Sequence, residues 1–194
     1  MIYNRIHHFH IRKTAGRAIN DVFDRSELKG IYTHSHEMFK IFDEHVFTFT
    51  CFRDPISRVV SHFRMLKQMI AENSTHPCMK TERPWAEGTL NDFLDRAPKR
   101  DILRQLFMFS GPSYDLDQAV CNIKSLNAYI FQRDLENGIT TLTFLLRNQL
   151  NYHLPFPRKV GVTKYQYEPT KAEWKRLREM MQPEHELFER LMGD

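Results

Sequence analysis

The residues of this chain that are suited to chemistry gather after one apolar segment, Val46–Phe52. That segment alternates β-branched and aromatic residues without a charge, which predicts an inner strand of a sheet covered on both faces. Arg53 follows it directly. Ser57, Ser61 and Arg64 then recur at steps of four and three residues, which places them on one face of a helix. Because free N–H groups and the positive end of the helix dipole favour an anion at a helix N-terminus, these donors predict a site for phosphate or sulfate.

The helix that follows this strand has a recognisable start and one apolar face. Asp54 offers an N-cap oxygen, and Pro55 stands at the first helical position, where its missing N–H costs nothing. The face that is predicted to be core consists of Ile56, Val59, Val60, Phe63, Leu66 and Ile70. The polar stripe is therefore expected on the opposite side of the helix.

A second loop near the N-terminus has the character of an anion cradle. Residues 5–11 predict a strand, and residues 12–18, Arg-Lys-Thr-Ala-Gly-Arg-Ala, predict a tight turn into a helix. A strand, a small-residue loop and a helix form the geometry that holds phosphate or sulfate on backbone N–H groups. The common nucleotide loop is absent, since Lys13 precedes the glycine instead of following it. An ordinary turn with a solvated Lys13 explains this loop by itself equally well.

Two histidines end the second predicted strand, residues 30–36. His34 and His36 point the same way on an extended chain, as a pair of metal ligands would. No third ligand stands at a recognisable spacing, so hydrogen-bonded histidines are the better interpretation. The same holds for the histidines of residues 5–11, and we expect no metal site.

The order of elements predicts how these groups meet. Strands alternate with helices along the chain, which predicts an α/β fold with three layers: a mostly parallel central sheet flanked by helices. In such sheets ligands bind beyond the carboxyl ends of the strands. Lys13, Arg53 and His36 all follow such ends, so we expect them to converge on one crevice.

Four further features concern the remaining segments. Residues 73–88 are rich in proline and polar side chains, which predicts a loop or a lid over the site. Residues 151–166 predict a basic loop, which either closes over an anion or carries solvated lysines. Thr170 and Glu173 form a capping-box pattern that opens a helix. Pro183 is predicted to break that helix before a last one.

Composition limits the class of protein. The 194 residues suit one domain, residues 1–194, with a full-sized core. The 28 basic and 24 acidic residues give a net charge of +4, too mild for a nucleic-acid coat. No segment approaches the roughly 20 apolar residues that span a bilayer, and the N-terminus lacks a signal-like apolar run. Three widely spaced cysteines indicate reduced thiols. We therefore expect a cytoplasmic protein without a transmembrane segment.

Two of these stretches together resemble a known family. His10-Ile-Arg-Lys-Thr-Ala-Gly16 and Phe52-Arg-Asp-Pro-Ile-Ser-Arg-Val-Val-Ser-His-Phe63 resemble the two cofactor motifs of the sulfotransferases that use 3′-phosphoadenosine 5′-phosphosulfate (PAPS). Weaker similarity continues through residues 104–111 and 160–163. The resemblance implies the P-loop-NTPase-like sulfotransferase fold over essentially the whole chain.

The resemblance also implies which residues hold the cofactor. A first loop would grip the 5′-phosphosulfate through Lys13, Thr14, Ala15, Gly16 and Arg17. A second element would grip the 3′-phosphate through Arg53 and Ser61, whose spacing matches the family pattern Arg-Asp-Pro-x-x-Arg-x-x-Ser. This chain departs from the family at Arg17 and Ala18, which replace hydroxyl residues, so a guanidinium or backbone N–H groups would take over those contacts.

A shorter match suggests the catalytic base. Tyr32-Thr-His-Ser-His36 is similar to a stretch of the heparan and uronyl 2-O-sulfotransferases in which a histidine is the base. The similarity implies that His36 takes the proton of an acceptor hydroxyl, with His34 either as the alternative base or as the group that orients the other imidazole. Lys13 would stabilise the bridging oxygen as it leaves.

The expected activity is the transfer of a sulfuryl group from PAPS to a hydroxyl of a saccharide or glycoconjugate. Two other classes use the same anion sites. A small-molecule kinase with an atypical phosphate loop would also need a carboxylate for magnesium, for which Asp54 is the obvious candidate, although helix capping explains it better. A non-catalytic nucleotide-binding or scaffold protein would have no need of His36.

Overall fold

The centre of the fold is a parallel β-sheet. The computed structural model describes residues 2–150, 153–160 and 163–193. Within them the strands are β1 (Arg5–Phe9), β2 (Tyr32–Ser35), β3 (Val46–Phe52) and β4 (Ala128–Phe131). The order across the sheet is β2-β1-β3-β4, and each neighbouring pair is parallel. The predicted parallel sheet is confirmed.

Helices cover both faces of this sheet. In the described residues they are α1 (Gly16–Asp24), α2 (Pro55–Ala71), α3 (Met79–Ala86), α4 (Leu90–Arg96), α5 (Lys99–Ile102), α6 (Arg104–Ser110), α7 (Leu116–Lys124), α8 (Leu135–Leu145) and α9 (Lys171–Met192). Side chains of α1 and α8 share one apolar cluster with β1, β3 and β4. Side chains of α6, α7 and α9 form another apolar cluster with the opposite face of the sheet. The α/β class with helices on both faces is thus confirmed.

Strand β3 lies inside the sheet and is buried along its whole length. It contributes to both apolar clusters, with Phe49 on one face and Phe52 on the other. Phe52 and Phe9 both contact the ring of Phe109 on α6, with centroids 5.9 and 6.0 Å away. These contacts fix the carboxyl ends of β1 and β3 next to each other, where the two predicted anion-binding segments begin.

The prediction of a loop or lid over residues 73–88 is wrong for its second half. Residues Met79–Ala86 form α3, although Pro84 lies inside it. Met79 and Ala86 are buried in an apolar cluster with residues of α2, α4 and α9. Burial of this face outweighs the local turn signal of the prolines, which was the basis of the prediction.

The predicted break at Pro183 is also wrong, because α9 continues through it. A proline inside a helix costs about 3 kcal/mol through the lost hydrogen bond and steric conflict. Met181 and Leu187 on either side of it are fully buried, and their packing holds the helix together. The start of this helix is as predicted, since Thr170 and Glu173 form both hydrogen bonds of a capping box.

Other segments are less regular. The described residues of the predicted basic loop, 153–160 and 163–166, contain no helix or strand. Residues 161 and 162, on which part of the family-like stretch 160–163 falls, lie outside the described residues, as do residues 151 and 152. None of the described helices has the length and apolar character needed to cross a membrane.

Candidate functional site

The loop between β1 and α1 has an unusual backbone. Lys13 and Ala15 both adopt the left-handed conformation, with φ of 71° and 76°. This conformation costs a residue with a side chain roughly 1–2 kcal/mol, and such strain gathers at functional sites. The fold of this loop turns the chain sharply into α1, as in anion-binding nests.

Helix α1 begins without a side-chain cap. Ala15 occupies the N-cap position, and its carbonyl accepts the first helical hydrogen bonds, from Ala18 and Ile19 at 2.9 and 3.1 Å. The N–H groups of Gly16 and Arg17 precede that ladder. Uncapped N–H groups at the positive end of a helix dipole attract an anion.

Gly16 is required by the closeness of a histidine. A Cβ atom at this position would collide with the imidazole of His10. The ring of His10 therefore lies directly against the N-terminus of α1. Sequence inspection identifies the glycine through its motif, but the contact with His10 is visible only in the structure.

Thr14 shapes the loop from inside. Its side chain is fully buried, and its hydroxyl donates to the carbonyl of Ile11 at 2.8 Å. The hydroxyl proton is thus committed to the loop. Any contact of Thr14 with an anion would come from its backbone.

Lys13 and Arg53 place positive charge at this loop. Lys13 is half-buried, and desolvation, together with the charges of Arg53, Arg17 and Arg12, lowers its pKa to about 8. Arg53 donates through Nη1 to the carbonyl of Lys13 at 3.3 Å, which joins the two predicted anion-binding segments. Within the described part of the chain, neither Lys13 nor Arg53 forms an ion pair with an acidic side chain, and the buried Nε of Arg53 has no hydrogen-bond partner. Desolvation also lowers the pKa of Arg53. An anion bound between Lys13 and Arg53 would pair with both charges, offer an acceptor to the Nε of Arg53 and oppose the lowering of both pKa values.

Arg12 belongs to a different arrangement. Its guanidinium pairs with Glu82 on α3, whose other carboxylate oxygen lies 3.0 Å from His62 Nε2 on α2. Burial acts to raise the pKa of Glu82, but the hydrogen bonds from His62 and Arg12 outweigh it and lower that pKa to about 2. Burial lowers the pKa of His62, so the ring is neutral and donates through Nε2 to the carboxylate. This cluster neutralises Arg12 and ties the loop to α2 and α3.

The turn from β3 into α2 is capped as predicted. Asp54 accepts a hydrogen bond from the N–H of Ser57 at 2.7 Å, and Pro55 is the first helical residue. The N–H of Arg53 donates to the side-chain oxygen of Gln105 at 2.9 Å. Ser61 lies one helical turn beyond Ser57 and is half-buried. Arg53 precedes the helix, and no hydrogen bond joins it to Ser61 in the described structure, so this predicted pair is not in direct contact.

Arg64 does not join the anion-binding stripe in which the sequence placed it. Its Nε donates to the carbonyl of Tyr167 at 2.9 Å, and its Nη2 lies 2.9 Å from the carboxylate of Glu168. Arg64 thus holds the segment that precedes α9. A contact across 103 positions of the chain could not be read from local spacing.

A cavity of about 390 Å³ opens beside this turn. Its walls come from the start of α2, the turn after β4 and the C-terminal part of α9. The lining residues are Arg53, Asp54, Ser57, Gln132, Arg133, His185, Phe188, Glu189 and Met192. The volume lies within the usual range for pockets that bind small molecules, about 300–1,000 Å³.

His36 is brought to the first loop through His10. Its Nδ1 lies 2.6 Å from the carbonyl of His10, and the two rings have centroids 4.4 Å apart. A carbonyl only accepts hydrogen bonds, so Nδ1 carries the proton and Nε2 keeps a free lone pair. Arg104 donates to the carbonyl of His36 at 2.7 Å and fixes its backbone. Desolvation and the charges of Arg12 and Arg104 lower the pKa of His36, against the bond to His10, which raises it. His36 is exposed, and its Nε2 atom carries no hydrogen in this arrangement.

His34 points to a different neighbour. Its Nε2 lies 3.4 Å from the side-chain amide of Asn20 on α1, and its ring is 5.6 Å from that of His10. Desolvation lowers the pKa of His10 itself to about 3. Among the described residues no group of three or more His, Cys, Asp or Glu side chains is arranged to hold a metal ion. The rings of His34 and His36 thus both pack against His10 beside the loop, one edge-on and one tilted.

No protein-family model matches this chain, and a search of curated proteins finds no match either. The function must therefore be inferred from the motifs and the geometry of the site.

Proposed function

We propose that this chain is a PAPS-dependent sulfotransferase with the P-loop-NTPase-like sulfotransferase fold, in the branch of the heparan and uronyl 2-O-sulfotransferases. The observation that carries the proposal is the positive charge shared by Lys13 and Arg53 at the uncapped start of α1. A half-buried Lys–Arg pair without an acidic partner is costly unless an anion binds there.

The site offers two anion positions on neighbouring strands. The first consists of Lys13, the N–H groups of Gly16 and Arg17, and the exposed guanidinium of Arg17. The second consists of Arg53 and Ser61. PAPS carries two separate anionic groups, the 5′-phosphosulfate and the 3′-phosphate, which we assign to the first and second positions. The cavity beside Arg53 has room for part of the nucleoside.

The chain's own groups can assist sulfuryl transfer without a protein-bound metal. When bound, PAPS supplies an activated sulfuryl group whose charge spreads over its oxygens during transfer, as in phosphoryl transfer. Lys13, with a pKa of about 8, is mostly protonated at neutral pH and can stabilise the oxygen that departs. Positioned N–H groups at the start of α1 would orient the same group.

His36 is the proposed general base. Its Nδ1 is held by the carbonyl of His10, so Nε2 can accept the proton of the acceptor hydroxyl. Its lowered pKa keeps the ring neutral at pH 7. A base in this position contributes about 10²–10⁴ in rate. The acceptor that we propose is a saccharide or glycoconjugate, and the three free thiols fit a cytoplasmic location.

The kinase alternative is less well supported. Its candidate magnesium ligand, Asp54, accepts the hydrogen bond that caps α2. The other alternative, a non-catalytic nucleotide-binding protein, gives no role to the Nε2 lone pair of His36. Both observations favour sulfuryl transfer.

The direct test is turnover. Purified protein is incubated with PAPS labelled in its sulfuryl sulfur and with a panel of saccharides, and sulfated products are detected by mass spectrometry. We expect a labelled product whose rate of formation falls by at least about 10² in Lys13→Ala and in His36→Ala. Phosphorylated product from magnesium ATP, with none from PAPS, would contradict the proposal.

A further inference from the structure

A buried polar network lies directly beneath the turn that carries Arg53. Its members are Arg58 on α2, Gln105 on α6 and Glu184 on α9, each about 1% exposed. Buried charges are rare because desolvation costs several kcal/mol per ion, and an apolar pair of similar size often packs at least as stably. The conformation that this network imposes is therefore of more interest than its contribution to stability.

Glu184 sets the orientation of Gln105. One carboxylate oxygen accepts from the N–H groups of Gln105 and Leu106, at 2.6 and 3.2 Å. The other oxygen accepts from the side-chain Nε2 of Gln105 at 3.1 Å. With Nε2 held in this direction, the amide oxygen of Gln105 must point the opposite way. There it accepts from the backbone N–H of Arg53 at 2.9 Å.

Arg58 balances the charge of Glu184. Its Nη2 donates to the carbonyls of Asp101 and Ile102, and its Nε lies 3.8 Å from the Glu184 carboxylate. These contacts attach α2, whose first turn follows Arg53, to the same carboxylate. Glu184 thus contacts both sides of the β3–α2 turn: the backbone of Arg53 through Gln105, and α2 through Arg58.

From these contacts we propose that Glu184 and Gln105 are positioning residues that hold Arg53 ready to receive the 3′-phosphate of a nucleotide. The proposal rests on the proposed function, because it assigns the 3′-phosphate to Arg53. It adds that a residue on the last helix controls selectivity for nucleotides with a 3′-phosphate.

Two substitutions break the network at different points. Glu184→Gln replaces one acceptor oxygen by an amide that opposes the Nε2 group of Gln105. The Gln105 amide then turns over and presents N–H to the N–H of Arg53. Gln105→Met keeps a similar volume and removes the acceptor outright.

Another buried glutamate on the same helix provides a matched control. Glu173 is 4% exposed, and it accepts from the N–H of Thr170 at 2.8 Å and from the hydroxyl of Tyr167 at 2.7 Å. Glu173→Gln disturbs the start of α9 without a contact to Arg53, so it reports a merely structural effect.

The experiment compares two ligands, adenosine 3′,5′-bisphosphate and adenosine 5′-monophosphate, by calorimetry and competition. Each network variant is measured alone and combined with Arg53→Ala, with thermal unfolding followed in parallel.

We expect Glu184→Gln and Gln105→Met to weaken binding of the bisphosphate about tenfold, which corresponds to one hydrogen bond of about 1.4 kcal/mol. The monophosphate should change by less than about twofold, and the tenfold loss should vanish in the Arg53→Ala background. Glu173→Gln should lower the unfolding temperature and leave both affinities unchanged.

The possible failures are distinguishable. An equal loss for both ligands, or an undiminished loss in the Arg53→Ala background, overturns the positioning role and leaves the proposed function standing. If Arg53→Ala binds the bisphosphate as well as the wild type does, the 3′-phosphate site is wrong and both proposals fall. Gln105→Met decides the matter if Glu184→Gln does not fold.

Discussion

The two halves of the candidate anion site are built in opposite ways. The β1–α1 loop has two left-handed residues, Lys13 and Ala15, it opens an uncapped helix, and its Lys13 has no ion-pair partner among the described residues. The β3–α2 turn is capped by Asp54 and supported from below by Gln105 and Glu184. The first half therefore has unmet hydrogen-bonding and charge requirements, whereas in the second half the backbone of the turn is hydrogen-bonded and the Arg53 side chain is left for a ligand.

This difference indicates a division of labour. A loop with uncompensated charge responds to changes in the charge of its ligand, as happens when a bond to oxygen breaks. A turn fixed by a buried network presents a preorganised grip whose strength is the same before and during the reaction. We therefore expect changes in the loop half to alter turnover, and changes in the turn half to alter affinity.

The largest effect should come from His36, which reaches the loop half through His10. His36→Ala should lower turnover by about 10²–10⁴ because it removes the base. In the wild type, turnover should rise with pH through a group whose pKa lies below the ordinary value of about 6.5, since desolvation, Arg12 and Arg104 lower it. Steady-state rates between about pH 4 and pH 8 measure this rise, which should flatten in His36→Ala. His34→Ala should keep the rise of turnover with pH. Near wild-type turnover in His36→Ala would show that His36 is not the base.

Lys13→Ala should lower the rate of the bound complex by about 10²–10³, the usual cost of one donor at a developing negative charge. Its affinity for the bisphosphate product should fall much less. Steady-state kinetics and calorimetry separate the two quantities. A loss confined to binding would make Lys13 an ordinary phosphate contact and would erase the contrast between the two halves.

Arg53→Ala should show the reverse pattern. Loss of a charge-assisted contact costs about 1.5–3 kcal/mol of bisphosphate binding, or about 10- to 150-fold, with the fold intact. Arg64→Ala is the matched control, because that guanidinium binds Tyr167 and Glu168 instead. Calorimetry should give Arg64→Ala an affinity within about twofold of the wild type. Equal losses in the two variants would mean that Arg53 has no special position.

The smallest effect concerns pH. The pKa of Lys13 is about 8 in the free protein, and a bound anion favours the protonated amine. Once both phosphates are fully ionised, above about pH 7, bisphosphate affinity should fall as pH rises through about 8, because binding begins to require uptake of a proton. Lys13→Arg, which stays protonated, should give a flat profile up to about pH 9.5. A flat wild-type profile would mean that Lys13 lies away from the anion.

Local sequence signals were enough to predict the strand and the helix cap of the β3–α2 turn, but not the backbone of the β1–α1 loop. Asp54 and Pro55 mark the start of α2 by rules that act over three or four residues, and the all-buried β3 is visible from its composition. The left-handed conformations at Lys13 and Ala15 have no such signal, because neither residue is a glycine.

Long-range pairs were equally hidden. Arg12 meets Glu82 across 70 positions, and Gln105 meets Glu184 across 79. Glu82 also stood in a segment that the sequence assigned to a loop. Pro183 shows the converse, since a strong local rule was overridden by burial of the helix around it.

The central claim is that this site holds a nucleotide with separate 5′- and 3′-anions. The most direct measurement is the calorimetric affinity of the wild type for adenosine 3′,5′-bisphosphate, compared at pH 7 with adenosine 5′-monophosphate and with magnesium ATP. We expect the bisphosphate to bind at least about tenfold more tightly than either, because only it engages both Arg53 and the β1–α1 loop. Tighter binding of magnesium ATP, or equal binding of the bisphosphate and the monophosphate, would contradict it.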